Sequence, residues 1–166
     1  MNTLMKTIDR VLGWALMILM ALMVLDVTWQ VFARFILNQP SSVTEELARF
    51  LLIWIGLLGA AYAFRMRAHL GLDIVTSNLP PKARWRTDVL ANVLCFLFAA
   101  MVMVYGGSKL VLLTLELRQL SPALQVPMGY VYIVIPLSGL LICLFAVDRI
   151  RQGEIPEEEQ EDLPVA

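Results

Sequence analysis

Four apolar runs, each long enough to cross a lipid bilayer, constrain this chain more than any other feature of its sequence. The first, Val11 to Ala33, holds about 23 residues and as a helix would extend ~34 Å, against a hydrocarbon core of about 30 Å. Only 16% of the 166 residues are charged, and they gather between the runs and in a C-terminal tail. The pattern predicts an all-α integral membrane protein and excludes a soluble globular enzyme.

The runs divide the chain into a membrane domain and a tail. We predict a four-helix membrane domain at residues 1–152, with transmembrane helices at about 11–36, 43–64, 86–114 and 127–148. Between helices two and three, apolar residues recur at helical spacing from Ala68 to Asn78, which predicts an amphipathic segment along the membrane interface. Residues 153–166 are acidic and lack apolar periodicity, so we expect a disordered tail.

Local signals mark where these helices begin and bend. Ser42, followed three residues later by Glu45, fits a capping box at the start of helix two. Pro81 suits the first turn of helix three, because that position needs no backbone N–H donor. Pro136 lies inside the fourth span and predicts a kink, since its ring clashes with the preceding turn.

The basic residues are distributed unevenly between the two sides of the membrane. If the N-terminus is cytoplasmic, nine of the 13 lysines and arginines lie on that side: Lys6, Arg10, Arg65, Arg67, Lys82, Arg84, Arg86, Arg149 and Arg151. Basic residues near membrane spans accumulate on the cytoplasmic side. We therefore predict that both termini are cytoplasmic and that two short loops lie outside.

Three polar side chains at spacings of four form a stripe on one face of the first helix: Asp26, Gln30 and Arg34. We place Asp26 near the middle of this helix, where an unpaired carboxylate costs several kcal/mol. One interpretation is a proton or ion site. The other is a carboxyl group that hydrogen-bonds to a neighbouring helix or subunit, and it is favoured because no second intramembrane carboxylate accompanies Asp26.

Charged residues also open the second helix, at Glu45, Glu46 and Arg49. Glu45 and Arg49 are four residues apart in the favourable order and can form an ion pair. The group could dock a partner at the outer surface. It could equally begin a helix whose dipole favours acidic residues in the first turn.

The second helix continues with several small residues, among them Gly56, Gly59 and Ala60. In lipid, small residues allow two helix backbones to approach closely, and such faces are common where transmembrane helices associate. This face is therefore a candidate contact with another helix or subunit.

The sequence shows no arrangement typical of an enzyme or a metal protein. His69 is the one histidine, so a metal or haem site built on two histidines is excluded, and an interfacial hydrogen-bonding role is favoured. The two cysteines, Cys95 and Cys143, lie inside apolar runs and do not form a CxxC pair. We therefore predict no catalytic residue, no cofactor and no bound metal. The near balance of charge also excludes nucleic acid as a partner.

Several features lie together in VFARFILNQPSSVTEELARFLLIWIGLLGAAYAFRMRAHLGLDIV, residues 31–75. They are Arg34 before the Asn38-x-Pro40 loop, the run Glu45 to Arg49, the segment Gly59 to Ala61 and the motif His69 to Asp73. This region resembles the small membrane subunit of tripartite ATP-independent periplasmic (TRAP) transporters. The stretch SPALQVPMGYVYIVIPLSG, residues 121–139, resembles the start of helix four in that family.

The resemblance implies a non-catalytic scaffold subunit in a bacterial inner membrane, within a sodium-driven transporter of organic acids such as C4-dicarboxylates or sialic acid. Its partners would be a large membrane subunit that carries the substrate and sodium sites, a periplasmic substrate-binding protein and the lipid bilayer. We expect subunit-interface or docking residues among Asp26, Gln30, Arg34, Glu45, Glu46, Arg49, Gly56, Gly59, Ala60, His69 and Asp73.

A second class of protein remains open from the sequence. A self-contained, proton-coupled exporter with four helices, acting as a homodimer, would also place one carboxylate in its first helix. Such exporters are shorter and lack the basic segment between helices two and three. The scaffold interpretation is therefore favoured.

Overall fold

The computed structural model describes residues 3–37, 41–66 and 81–152. These residues are almost entirely helical, and they form no β-strand. The elements are α1 (Thr3–Phe35), α2 (Ser42–Arg65), α3 (Pro81–Phe98), a π-helical segment (Ala99–Gly106), α4 (Gly107–Glu116), α5 (Met128–Tyr132) and α6 (Val134–Gln152).

Four helical stretches are long and apolar enough to cross a membrane: Met5–Phe35, Ser42–Arg65, Val89–Glu116 and Met128–Ile150. The third combines most of α3 with the π segment and α4, and the fourth combines α5 with α6. The prediction of an all-α protein with four spans is confirmed. The orientation of the termini stays a prediction, and the expected interfacial segment and acidic tail lie outside the described residues.

The helices pack in an order that differs from their order in the chain. α1 packs against α2, α2 also packs against α6, and α6 packs against α3 and the π segment. The core between them includes Leu12, Leu58, Val134, Phe145 and Ala146, which come from α1, α2 and α6. α6 therefore lies at the centre of the bundle, between the second and third spans.

The start of α2 differs from the predicted capping box by one residue. Ser41, in extended conformation, is the N-cap: its Oγ accepts a hydrogen bond from the Thr44 N–H at 3.5 Å, and Thr44 Oγ1 donates to the Ser41 carbonyl at 3.0 Å. The assignment of Ser42 and Glu45 to the cap was wrong, because Ser42 already has helical geometry. Glu45 instead pairs with Arg49.

The predicted effects of two prolines are visible in the helices. α3 begins at Pro81, as expected. The fourth span is interrupted at Ile133, between α5 and α6. Pro136 follows this break by three residues. Proline cannot donate to the carbonyl four residues earlier, so the break falls where the Pro136 ring would meet the preceding turn.

A close helix contact lies between α6 and the third span. A Cβ added at Gly139 of α6 would lie 2.7 Å from Met103 Cβ and 3.2 Å from the Ala99 carbonyl oxygen. A Cβ added at Gly107 of α4 would lie 2.8 Å from the Ile135 side chain. Two glycines, one in each span, therefore let these helices approach to backbone contact.

We expect Gly139→Ala to destabilise the protein, because the added methyl group meets the Met103 Cβ and a backbone oxygen that cannot move aside. Overpacking of this kind typically costs about 1–3 kcal/mol, which thermal unfolding in detergent would measure. Gly59→Ala is the matched control, since no atom lies within 4 Å of its added Cβ. Equal melting temperatures for the two variants would contradict the close contact.

Candidate functional site

Three charged side chains from three helices meet at one end of the bundle. Arg65 Nε, at the last residue of α2, donates to both carboxylate oxygens of Asp9 in α1 at 3.2 Å. Arg65 Nη1 donates to Asp148 Oδ2 in α6 at 3.3 Å. We call Asp9, Arg65 and Asp148 the Arg65 cluster.

The Arg65 cluster is shielded from solvent. The side chains of Arg65, Asp9 and Asp148 are only 15%, 19% and 9% exposed, and the Arg65 guanidinium lies 5.7 Å from the centre of the Phe145 ring. A guanidinium suits this position, because its planar fork of donors can serve two carboxylates at once and its face can stack on an aromatic ring. Removing one member would leave a poorly solvated charge without its partner.

A second polar link lies at the opposite end of α2. Glu46 is buried, and its Oε2 accepts hydrogen bonds from the backbone N–H groups of Ala123 and Leu124 at 2.9 and 2.8 Å. Two successive N–H groups directed at one oxygen form a small anion-binding concavity. The link ties the start of α2 to residues 117–127, which connect α4 to α5.

This connecting loop is held by its own hydrogen bonds as well. The Ser121 N–H donates to the Val126 carbonyl at 2.9 Å, the Val126 N–H donates to Ser121 Oγ at 3.3 Å, and the Met128 N–H donates to the Gln119 carbonyl at 2.9 Å. Ser121 is completely buried. The loop therefore has one defined shape, and it presents Leu120 and Gln125 on its outer surface.

The two polar links are separated by nearly the thickness of a membrane. Arg65 and Glu46 are 19 residues apart on one continuous helix, or about 28 Å at 1.5 Å per residue. A bilayer's hydrocarbon core is about 30 Å thick. One link therefore belongs at each membrane surface, with the apolar core between them.

Asp26 and Gln30 lie together on α1, as the sequence predicted. Asp26 is 9% exposed, and its Oδ2 and the Gln30 Nε2 are buried without a hydrogen-bond partner in the described part of the chain. α1 begins at Thr3, so its middle is Leu19, and the placement of Asp26 near the middle was wrong. Asp26 lies 17 residues beyond Asp9, about 25 Å from the Arg65 cluster and near the level of Glu46.

The remaining candidate residues are more widely spread. Arg34 is exposed, and its guanidinium lies 6.0 Å from the centre of the Phe35 ring. Glu45 and Arg49 form the expected ion pair at 2.6 Å, but both side chains are more than half exposed. His69 and Asp73 lie outside the described residues.

The small-residue face of α2 is open among the described residues. A Cβ added at Gly56 or Gly59 would have no atom within 4 Å, and Ala60 is exposed. No other helix of the described structure uses this face for close packing.

The charged side chains of this site join separate parts of the same chain. In the three described segments, no group of three or more His, Cys, Asp or Glu side chains is placed to hold a metal ion. The charges of the Arg65 cluster and of Glu46 are directed at other parts of the same chain. Such links fix the relative positions of α1, α2, α6 and the loop at residues 117–127.

Comparison with known families decides what kind of membrane protein this is. Residues 23–154 match the family model described as tripartite ATP-independent periplasmic transporters, DctQ component. The chain belongs to this family. The match spans most of the four-helix domain and includes Arg65, Glu46, Asp26 and Asp148.

Named relatives of the DctQ family are similar over much of the chain. The sialic acid TRAP transporter small permease protein SiaQ of Vibrio cholerae is 30% identical, covering 70% of each chain. The C4-dicarboxylate TRAP transporter small permease protein DctQ of Rhodobacter capsulatus is 30% identical over 69% of this chain and 52% of its own. The isethionate TRAP transporter permease protein DctMQ of Oleidesulfovibrio alaskensis is 32% identical over 78% of this chain but only 21% of its own.

Sequence reasoning missed the partners that define the two polar links of this DctQ-family chain. It counted Arg65 as a basic residue of the inner side and did not single out Asp9 or Asp148. The available signal was an acidic residue at one end of the first span and another at the end of the fourth, on the side where basic residues predominate. For Glu46 the available signal was weaker, since neighbouring Glu45 has the same charge.

We expect Arg65→Met to destabilise the protein by about 2 kcal/mol or more, because it removes the guanidinium that pairs with the poorly solvated Asp9 and Asp148 carboxylates. Arg49→Met is the matched control on the same helix, and loss of its exposed pair with Glu45 should cost less than about 1 kcal/mol. Thermal unfolding of both variants in the same detergent makes the comparison. Similar losses would show that the Arg65 cluster contributes no more than a surface pair.

We expect Glu46→Ala to loosen the loop at residues 117–127, because the Ala123 and Leu124 N–H groups lose their acceptor. Hydrogen exchange of these two amides should become about tenfold faster or more, as expected when one hydrogen bond is lost. Glu45→Ala removes the adjacent, exposed carboxylate and serves as the control. Unchanged exchange in Glu46→Ala would mean that the loop holds its shape without this link.

Proposed function

We propose that this chain is the scaffold subunit of a sodium-driven TRAP transporter for an organic acid. It pairs with a large membrane subunit, which carries the substrate and sodium sites, and it helps to dock a periplasmic substrate-binding protein. The observation that carries the proposal is the use of its buried charges. The Arg65 cluster and Glu46 fix helices and loop to one another, as a stationary support requires.

Pairing with a large subunit is supported by the DctMQ relative. The matched region is 21% of that protein, so a small-subunit-like segment there forms part of a much longer permease chain. The open face of α2 at Gly56, Gly59 and Ala60 offers a surface for such a neighbour, because small residues allow close approach of a transmembrane helix. Asp26 and Gln30 then have a structural role near the outer end of α1.

Docking of a periplasmic protein is assigned to the end of the bundle that carries Glu46. With the N-terminus and the Arg65 cluster on the cytoplasmic side, residues 117–127 face the periplasm. Glu46 and the internal hydrogen bonds hold this loop in one conformation, which lowers the entropy lost when a partner binds. Exposed Glu45 and Arg49 lie beside it at the start of α2.

The names of several relatives support the proposed substrate class. Sialic acid, C4-dicarboxylates and isethionate are all small organic anions. We therefore assign an organic acid to this transporter. The scaffold subunit itself contributes no substrate contact in this proposal, and family membership favours it over a self-contained exporter.

The proposal is tested by sodium-driven uptake in proteoliposomes that contain this chain, its large subunit and the binding protein. We expect uptake to require this chain, and Asp26→Asn to retain more than about half of the uptake per assembled complex, because an amide keeps an acceptor in nearly the same shape. The amount of assembled complex is measured in parallel as the control. Normal assembly with near-zero uptake in Asp26→Asn would place this residue in the coupling mechanism, and full uptake without this chain would overturn the scaffold.

A further inference from the structure

Lys109 lies well inside the third span, on a surface of the helix that the described part of the chain leaves exposed. Lys109 is exposed, and it precedes Glu116, the last residue of α4, by seven residues, or about 10 Å along the helix. Its neighbours on the exposed surface are apolar or aromatic and include Met101, Tyr105 and Leu112. A charge at this depth is costly in hydrocarbon unless it is paired or reaches the surface.

The geometry of α4 directs this lysine away from the nearer membrane surface. Side chains of a helix lean toward its N-terminal end, which for α4 is the direction of the membrane centre. The Lys109 ammonium lies 4.6 Å from the centre of the Tyr105 ring, one turn deeper than its own Cα. No carboxylate lies within ion-pair distance of it in the described part of the chain. Its one contact is therefore a cation–π contact, which does not neutralise the charge.

The opposite side of the third span is fixed in place. Gly107 lies against Ile135 and Pro136, and Met103 lies against Gly139, at contacts too close to admit a methyl group. The span cannot rotate Lys109 into the bundle without losing these contacts. Its outward face is therefore rigid as well as exposed.

The outer face of α1 has a different character. Trp14 and Trp29 are 60% and 53% exposed and stand 15 residues apart, about 22 Å along the helix. Tryptophan is enriched at both membrane interfaces, so this spacing suits a surface covered by lipid. Most of the exposed side chains between them, such as Met17 and Leu25, are apolar.

We propose that the exposed face of the third span around Tyr105, Lys109 and Leu112 docks a transmembrane helix of the large subunit, and that this helix presents a carboxylate to Lys109. The inference rests on the proposed function. It adds a polar contact with the large subunit at the third span to the contact proposed for the small-residue face of α2. It is carried by charge complementarity, because an ammonium that is directed away from the nearer membrane surface is stabilised by an anionic neighbour. The outer face of α1 remains in lipid.

Photo-crosslinking in the assembled transporter tests which face is covered. A benzophenone amino acid is introduced at Tyr105 or Leu112 on the proposed face, and at Met17 or Leu25 of α1 as controls with similar exposure. We expect adducts with the large subunit from Tyr105 and Leu112 and none from Met17 or Leu25. Adducts only from the α1 positions, adducts with a second copy of this chain, or adducts with lipid alone would overturn the proposal.

Substitutions of Lys109 test the charge itself in the co-expressed complex. We expect Lys109→Glu to lower the recovery of the large subunit at least about tenfold, because it sets a carboxylate against a carboxylate, and Lys109→Arg to retain recovery within about twofold. Lys109→Met should fall between them. Each variant's own melting temperature is the folding control, since Lys109 contacts only the Tyr105 ring in the described part of its own chain.

Equal recovery of the large subunit with Lys109→Glu and with the unchanged chain would overturn the proposal of a carboxylate partner, whatever the crosslinks show. Failure of the unchanged chain to recover any large subunit would overturn the proposed function as well. The two failures are therefore distinguishable. The crosslinking result stands independently if Lys109→Glu does not fold.

Discussion

Arg65 supplies an attraction that the membrane itself does not provide. Lipid tails are as apolar as leucine, so helices in a bilayer gain little from burying apolar side chains against one another. Close packing and polar links must hold them. The guanidinium joins Asp9, 56 residues earlier, to Asp148, 83 residues later, and so closes the first, second and last helices around one charge. The other interhelical contacts described above lie in a bundle that this link closes at one end.

The helical architecture could be read from the sequence, because length and apolarity alone decide whether a segment can span a bilayer. Pro81 and the Glu45–Arg49 pair were also predictable, since both depend on residues adjacent on one helix. The N-cap was missed by one residue, because Ser41 and Ser42 are chemically identical and only backbone geometry distinguishes them. The early start of α1 moved Asp26 from the middle of the helix toward one surface.

The long-range contacts could not be predicted in the same way. The carboxylate of Glu46 bonds to a loop 77 residues away, and nothing in its local sequence separates it from exposed Glu45. Small residues pose a similar problem, because a glycine pattern shows that a close approach is possible and not which surface uses it. The sequence pointed to Gly56 and Gly59, which have no atom near an added Cβ, whereas the close approaches in the described part of the chain occur at Gly107, Gly129 and Gly139.

The π-helical segment has a consequence for how this span is compared among related chains. A π-helix forms hydrogen bonds over five residues rather than four, so residues 99–106 carry a phase shift into α4. A chain with one residue fewer there could form a continuous α-helix and keep its later side chains on nearly the same faces, because the wider π turn takes up the extra residue. A chain of the same length that formed a regular α-helix there would instead turn each later side chain by about 100° around the axis. Gly107 would then leave Pro136, and Lys109 would turn away from its present face. An alignment with a related chain that lacks the π segment therefore needs a gap of one residue in this short stretch if residues on the same surface are to be compared.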